Sequence, residues 1–158
     1  MSNTSKEVEQ QAKYLELLLE ANKNINLTGI TQPKEAVIKH TLDSLSVSNA
    51  IEGTKVIDIG SGGGTPGIPL AIANPYKQFY LVDSVLKKTI FLKEATETLK
   101  LNNVEVICER GENIKNLSAD TVVSRAFGSL NYLIDASKHM VSKKGLFLAM
   151  KGKLKKEE

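Results

Sequence analysis

Residues 58–67 carry the pattern in this sequence that most clearly suggests chemistry. An acid, Asp58, is followed by five glycines within the eight positions from Gly60 to Gly67. Glycine lets the backbone turn sharply and lets a ligand approach main-chain atoms with no Cβ in the way. The segment follows a predicted strand and opens a predicted helix, and ligands of open α/β sheets bind at the carboxyl ends of strands. We interpret it as a ligand-binding turn rather than a plain tight turn.

The spacing of these residues leaves two kinds of ligand open. Gly62, Gly64 and Gly67 match the dinucleotide pattern G-x-G-x-x-G. Asp83 lies 21 residues beyond Gly62, near the spacing typical of nicotinamide and flavin enzymes. Asp58, in contrast, suits a cationic amino group and would be poorly placed beside a diphosphate, which needs hydrogen-bond donors. The acid therefore favours a ligand with an amino acid moiety.

Two further acids follow predicted strands. Asp83 ends the second strand, where a carboxylate can accept hydrogen bonds from both hydroxyls of a ribose, as in the related dinucleotide folds. Glu112 follows the third strand, but surface glutamates are common, so its position alone assigns it no role.

The elements that would position these residues alternate along the chain. Apolar runs predict strands at residues 55–59, 79–83, 104–108, 121–124 and 146–150, with helices or loops between them at 66–73, 85–100, 112–117 and 129–140. This alternation indicates an α/β fold with a parallel sheet and helices on both faces. Two earlier helices, at 5–24 and from Pro33 onward, predict an N-terminal helical extension over residues 1–50. Residues 51–158 would form a Rossmann-like domain, and both parts together one structural domain.

Composition narrows the class of protein. The 158 residues are 41% hydrophobic and 25% charged, which is ordinary for a globular chain, and the net charge of +3 is weak support for an anionic partner. No apolar run approaches the roughly 20 residues of a membrane span, and the start is polar, so we expect a cytoplasmic protein without a membrane anchor. His40 and His139 have no nearby cysteine or histidine, so no metal site is expected. The single cysteine, Cys108, lies in an apolar run and is expected to be buried.

Several short segments, taken together, resemble the bacterial 16S ribosomal RNA guanine-N7 methyltransferases, also called the RsmG or glucose-inhibited division protein B family. The resemblance covers about residues 20–152 and is carried by residues 26–28, 40–44, 56–70, 81–84, 87–88, 110–112, 124–127 and 151–152. Pro66-Gly-Ile-Pro and Ser124-Arg-Ala-Phe are its most specific pieces. The resemblance implies a Rossmann-like, S-adenosylmethionine-dependent methyltransferase of class I, acting on N7 of a specific guanine in the small ribosomal subunit.

The resemblance also implies roles for individual residues. Gly111 and Glu112 would lie along the adenine of the cofactor, and Arg125 would close the site. Positively charged side chains beside it would face RNA or its phosphates. The implied cofactor contacts are Gly60, Gly62, Gly64, Thr65, Asp83, Gly111, Glu112 and Arg125, and the implied RNA contacts are Lys87, Lys88 and Arg110.

Methylation at guanine N7 requires no proton transfer before attack, because this nitrogen carries an in-plane lone pair in the neutral base. The sequence agrees, since it shows no Ser-His-Asp set and no paired carboxylates at a plausible site. We expect catalysis by positioning, which can contribute about 7–11 kcal/mol in favourable cases. No residue is expected to transfer protons, and Arg125 would orient the cofactor or the RNA.

The sequence departs from the family pattern in three respects. It ends after the fifth predicted strand, its N-terminal helical region looks shorter, and Lys88 and Gly111 stand where relatives often have arginine and a larger residue. We therefore expect a chain that lacks the last strands and is a fragment, an unusual short form, or a protein whose full activity is impaired. The alternatives are an NAD(P)-dependent oxidoreductase and a non-catalytic nucleotide- or RNA-binding fragment. The expected partner is the small ribosomal subunit, bound by a monomer.

Overall fold

A computed structural model describes residues 3–151 of the chain. Its centre is a five-stranded sheet of order β3-β2-β1-β4-β5, in which every neighbouring pair is parallel. The strands are β1 Lys55–Ile59, β2 Gln78–Asp83, β3 Val104–Cys108, β4 Ala119–Arg125 and β5 Val141–Met150. The predicted Rossmann-like parallel sheet is confirmed.

Helices cover both faces of this sheet. They are α1 Asn3–Asn22, α2 Pro33–Ala36, α3 Asp43–Leu45, α4 Gly67–Ala73, α5 Leu86–Thr98 and α6 Leu130–Ser137, and a π-helical segment, Val37–Leu42, joins α2 to α3. The faces alternate along each strand, as period-2 geometry requires. On β1, Ile57 and Ile59 pack with Leu133 of α6, whereas Val56 packs with Leu70 of α4.

The N-terminal helix α1 is part of the main core. Tyr14 and Leu18 are at most 1% exposed and pack in one cluster with Leu81 of β2 and Leu92 of α5. The helix ends at Asn22, whose Oδ1 accepts hydrogen bonds from two backbone N–H groups of the following loop. Residues predicted as a helical extension therefore bury apolar surface against the sheet domain.

Residues 112–117, predicted as a short helix or loop, form a loop that begins with the 3₁₀ turn Gly111–Asn113. Two local expectations need correction. Cys108 is exposed rather than buried, because β3 is an edge strand of the described sheet. β5 begins at Val141 rather than at residue 146, since its first residue pairs with Ala119 of β4.

Within residues 3–151, no helix combines the length and the apolar character that crossing a bilayer would require.

Candidate functional site

The turn between β1 and α4 depends on glycine for its shape. Gly60, Gly62 and Gly64 have φ angles of +71°, +53° and +101°, left-handed values that residues with a Cβ rarely adopt. The N–H groups of Gly60 and Ser61 both donate to the carbonyl oxygen of Val82, at 2.8 and 2.9 Å. The turn is therefore held against the end of β2, where the sequence predicted a ligand site.

Two carboxyl groups accept hydrogen bonds from other amide groups of this turn. The N–H of Gly62 donates to Oδ2 of Asp83, and the N–H of Gly67 donates to Oδ2 of Asp58, each at 2.9 Å. A diphosphate at such a turn needs free amide donors and a favourable positive potential. Because acids already engage these donors, the glycine spacing that matched the dinucleotide pattern does not by itself create a diphosphate site here.

Asp58 lies beneath the turn, and its side chain is 0% exposed. Burial raises the pKa of this carboxyl to about 7, against the opposing effect of the Gly67 N–H. Its Oδ1 has no hydrogen-bond partner among the described residues. The expectation that Asp58 faces the amino group of a ligand is thus wrong for this structure, because the acid is enclosed and instead anchors the start of α4.

A cleft of about 390 Å³ opens at the carboxyl ends of β1, β2 and β3. This volume falls in the range typical of small-molecule sites, roughly 300–1,000 Å³. Asp83 lines it, and the N–H of Val85 donates to its Oδ1 at 2.9 Å, which together with the Gly62 contact fixes the carboxylate in place. The predicted site residues that line this cleft are Gly60, Asp83, Lys88, Arg110, Gly111 and Glu112.

An aromatic pair forms part of the same cleft. The rings of Phe127 and Tyr132 are stacked, with centroids 5.3 Å apart and an interplanar angle of 20°. A Cβ at Gly60 would lie 2.2 Å from the Phe127 ring, so only glycine fits beneath it. Sequence reasoning took Phe127 from the family motif and missed Tyr132. The only available signal was an aromatic residue in the first turn of the helix after β4.

Other predicted residues lie near the cleft without lining it. Gly64 is buried, and a Cβ there would come 2.6 Å from Cδ1 of Ile68, so this glycine shapes the turn and does not face the cleft. Gly62 contributes through its backbone N–H, which donates a hydrogen bond to Asp83. Lys87 is exposed and does not line the cleft, in contrast to its neighbour Lys88.

Arg125, at the end of β4, contacts the turn from a different side. Its Nη2 donates to Oγ1 of Thr65 at 2.5 Å, and its Nη1 donates to the carbonyl oxygen of Lys39 at 2.5 Å. Nη1 also lies 3.7 Å from Oδ2 of Asp43, a long and partly exposed ion pair of little expected strength. The family resemblance implied that Arg125 closes the cofactor site, but neither Arg125 nor Thr65 lines the 390 Å³ cleft. Arg125 contacts the glycine turn through Thr65.

His40 completes this arrangement. The sequence analysis placed it in the family segment 40–44 and rejected it as a metal ligand, but assigned it no role in the site. The side chain is 3% exposed, with Nδ1 2.9 Å from Nη2 of Arg125 and Nε2 2.9 Å from Oγ1 of Thr28. Burial and the charge of Arg125 lower the pKa of His40 to about 4, so the ring is neutral near pH 7. Within residues 3–151, no group of three or more His, Cys, Asp or Glu side chains could hold a metal ion.

The parallel sheet, the glycine turn after β1 and the acid that ends β2 define a Rossmann-like fold of the class formed by S-adenosylmethionine-dependent methyltransferases. A solved structure of coclaurine N-methyltransferase, bound to N-methylheliamine and S-adenosylhomocysteine, superposes with a TM-score of 0.60 at 22% identity. It matches 86% of this chain, which spans 42% of that protein, so the likeness concerns the fold alone.

The chain belongs to the GidB family of rRNA small subunit methyltransferase G, whose family model matches residues 7–158. It is similar to ribosomal RNA small subunit methyltransferase G of Glaesserella parasuis, with 44% identity over 98% of this chain and 76% of that relative. The Actinobacillus pleuropneumoniae protein of the same name is 46% identical over 94% of this chain and 73% of its own length. The family predicted from the short motifs is confirmed, and the chain spans about three quarters of these relatives.

Proposed function

We propose that this protein transfers a methyl group from S-adenosylmethionine to N7 of a specific guanine in 16S ribosomal RNA. One observation carries the choice of cofactor: the cleft beside the glycine turn contains Asp83, and amide groups of the turn are bound by acids. Such a site suits a nucleoside without a diphosphate, whereas NAD would require those donors. The oxidoreductase alternative is therefore not favoured.

The residues present fit a nucleoside-bearing cofactor. Asp83 is held by two backbone N–H groups, and each of its oxygens keeps a lone pair for a ribose hydroxyl. Gly111 and Glu112 line the same cleft, where the adenine would lie. When bound, S-adenosylmethionine supplies an electrophilic methyl group on a sulfonium centre.

The protein's own contribution to the reaction would be alignment and charge. Guanine N7 needs no general base, and positioning can contribute about 7–11 kcal/mol in favourable cases. Methylation leaves a cationic base, which carboxylates stabilise, and Glu109 and Glu112 join Asp83 in lining the cleft. Lys88 and Arg110 at the same edge would contact RNA phosphates, which position a nucleic acid without reading its sequence.

The cofactor is tested by calorimetry on the full chain with S-adenosylhomocysteine and with NAD. We expect binding of S-adenosylhomocysteine and none of NAD. Binding of NAD alone would overturn the proposal in favour of an oxidoreductase.

The reaction is tested with S-adenosylmethionine and small ribosomal subunits that lack the modification. We expect one 7-methylguanine in 16S RNA, mapped by chemical cleavage at the modified base. Cofactor binding without methyl transfer would support instead a non-catalytic nucleotide- or RNA-binding protein.

Arg125 would orient the cofactor turn through Thr65. Replacing it in Arg125→Ala is expected to lower kcat/KM on small subunits by up to about 100-fold, the scale of a misplacement near 1 Å. Normal turnover with unchanged binding of S-adenosylhomocysteine would show that its contacts are purely structural.

We further propose that residues 1–50 and 51–158 form one structural domain and that the protein acts as a cytoplasmic monomer. The packing of Tyr14 and Leu18 against Leu81 and Leu92 supports a shared core. Light scattering should then give a single species of about 17.3 kDa, and calorimetric unfolding should show one transition. A dimer mass or two separate transitions would contradict the respective statement.

A further inference from the structure

His40 is the one buried imidazole in the described residues whose two ring nitrogens both contact side chains. Nδ1 lies 2.9 Å from Nη2 of Arg125, and Nε2 lies 2.9 Å from Oγ1 of Thr28. A guanidinium only donates hydrogen bonds, so Nδ1 must be the acceptor and the ring proton must be on Nε2. The hydroxyl of Thr28 accepts the hydrogen bond from Nε2–H and so helps to orient the ring, while Arg125 selects the tautomer.

The same guanidinium continues to the glycine turn. Nη2 of Arg125 donates to Oγ1 of Thr65 as well as to His40, and Nη1 donates to the carbonyl oxygen of Lys39. The Arg125 side chain is 22% exposed, so these acceptors rather than bulk water determine where it lies. A chain of hydrogen bonds thus runs from the N-terminal segment, through Thr28, His40 and Arg125, to Thr65.

We propose that His40 is a positioning residue, which holds Arg125 against Thr65 and thereby sets the cofactor-binding form of the glycine turn. This inference rests on the proposed function, because it concerns the affinity of that turn for an S-adenosyl ligand. The side chain of His40 does not line the 390 Å³ cleft and acts through Arg125. Its contribution is therefore expected to vanish when Arg125 is absent.

A double-mutant cycle tests the inference, with the dissociation constant of S-adenosylhomocysteine measured by calorimetry on the full chain. We expect His40→Ala to weaken binding at least threefold. In the Arg125→Ala background the same change should have no further effect. Circular dichroism and the melting temperature report on the folding of each variant, because a purely structural loss would weaken both backgrounds equally.

The conservative variant His40→Asn provides the rescue, since the asparagine Oδ1 can occupy a position close to Nδ1 and accept from Arg125. We expect its affinity to be within twofold of the unchanged protein. If His40→Ala does not fold, Thr28→Val replaces it in the cycle, because loss of this hydroxyl removes the hydrogen bond from Nε2–H that orients the ring. Thr28→Val should then weaken binding at least twofold, and only while Arg125 is present.

Three results would overturn this inference while leaving the proposed function intact. The first is additive effects of the two changes in the cycle, and the second is an unchanged affinity in His40→Ala or Thr28→Val. The third is a folded His40→Asn that binds as weakly as His40→Ala. If the unchanged protein does not bind S-adenosylhomocysteine, the proposed function fails first and the inference fails with it. The two failures are therefore distinguishable in one set of measurements.

Discussion

Asp58 shows how a single residue of the turn combines a structural contact with an unfavourable charge. Its Oδ2 accepts the N–H of Gly67 at the start of α4, while its Oδ1 is buried without a partner among the described residues. Burial of a carboxylate disfavours ionisation, which explains a pKa raised to about 7. The acid therefore shapes the turn most favourably when it is protonated.

This pKa predicts a pH dependence of stability. An unfolded aspartate titrates near pH 3.9, so between about pH 4 and pH 7 the folded chain keeps a proton that the unfolded chain has released. The contribution of Asp58 to the free energy of unfolding therefore falls as pH rises through this interval. Asp58→Asn removes this titration, so its stability relative to the unchanged protein should increase from about pH 4 to pH 7 and then level off.

Urea unfolding of both proteins at several pH values measures this difference. His40, whose pKa is lowered to about 4, has the opposite pH dependence over much of the same range, but it is present in both proteins and cancels. A difference in stability that does not vary with pH would contradict the assignment of Asp58.

Gly111 illustrates a different constraint at the residue scale. A Cβ at this position would lie 2.8 Å from the carbonyl oxygen of Ala136 and 2.9 Å from Cδ1 of Ile59. Because the nearer atom belongs to the backbone of α6, it cannot easily move aside. This explains why a larger residue, which relatives were expected to carry here, does not fit this chain.

We expect Gly111→Ala to lower the free energy of unfolding by about 1–3 kcal/mol, the usual range for overpacking. Gly29→Ala is the matched control, since nothing lies within 4 Å of a Cβ at that position. Equal losses in the two variants, measured by urea unfolding, would show that the contact with Ala136 is unimportant.

At the scale of elements, α1 supports the glycine turn directly. The hydroxyl of Tyr14 donates to the carbonyl oxygen of Gly63 at 2.9 Å, and a Cβ at Gly63 would lie 2.8 Å from Cδ1 of Leu18. Complete burial raises the pKa of the Tyr14 hydroxyl, so it remains a neutral donor. The helix and the turn therefore hold each other in place through contacts distant in sequence.

Removing this hydroxyl in Tyr14→Phe leaves a buried carbonyl without its donor, which costs about 1–3 kcal/mol. We expect that loss in urea unfolding, together with weaker binding of S-adenosylhomocysteine. Tyr76→Phe is the control, because Tyr76 is 93% exposed and should change stability by less than about 0.5 kcal/mol. Unchanged stability in Tyr14→Phe would mean that α1 does not support the turn through this hydrogen bond.

At the scale of the whole molecule, the proposed RNA-binding face is the edge of the sheet at the carboxyl ends of the strands. Lys88 and Arg110 line the cleft there. Lys6, Lys77 and Lys100 instead line a separate depression, together with Asn103 just before the start of β3. Lys6 and Lys100 thus provide a pair of equal charge away from the proposed face.

The double variant Lys88→Ala/Arg110→Ala should weaken binding to small ribosomal subunits and flatten its salt dependence. For every phosphate that the variant no longer binds, the slope of log K against log salt should fall by about 1. The control is Lys6→Ala/Lys100→Asn, with asparagine chosen because Lys100 has a φ of +55°, which asparagine tolerates. Filter binding at several salt concentrations measures both slopes, and equal slopes would refute the proposed face.

The local sequence predicted the regular elements best where apolar runs are bounded by turns. β1 and β3 were predicted with the bounds that the structure shows, because each is a short apolar run. β5 was predicted too short, since the polar residues at its start give no strand signal and pairing with β4 extends it. The exposure of Cys108 was missed because an edge strand is defined by the order of strands, which no local pattern states.

The succession of strands and helices along the chain, the glycine turn and the family were therefore determined by the sequence itself, since they depend on periodicity, turn chemistry and short motifs. The tertiary structure alone decided that Asp58 is enclosed, that Asp83 holds Gly62, and that His40 and Thr65 meet at Arg125. The partners of Arg125 are 60 to 86 residues away in the chain. Such groups become neighbours only after the parallel sheet has brought its strand ends together, so their hydrogen bonds leave no trace in any local segment.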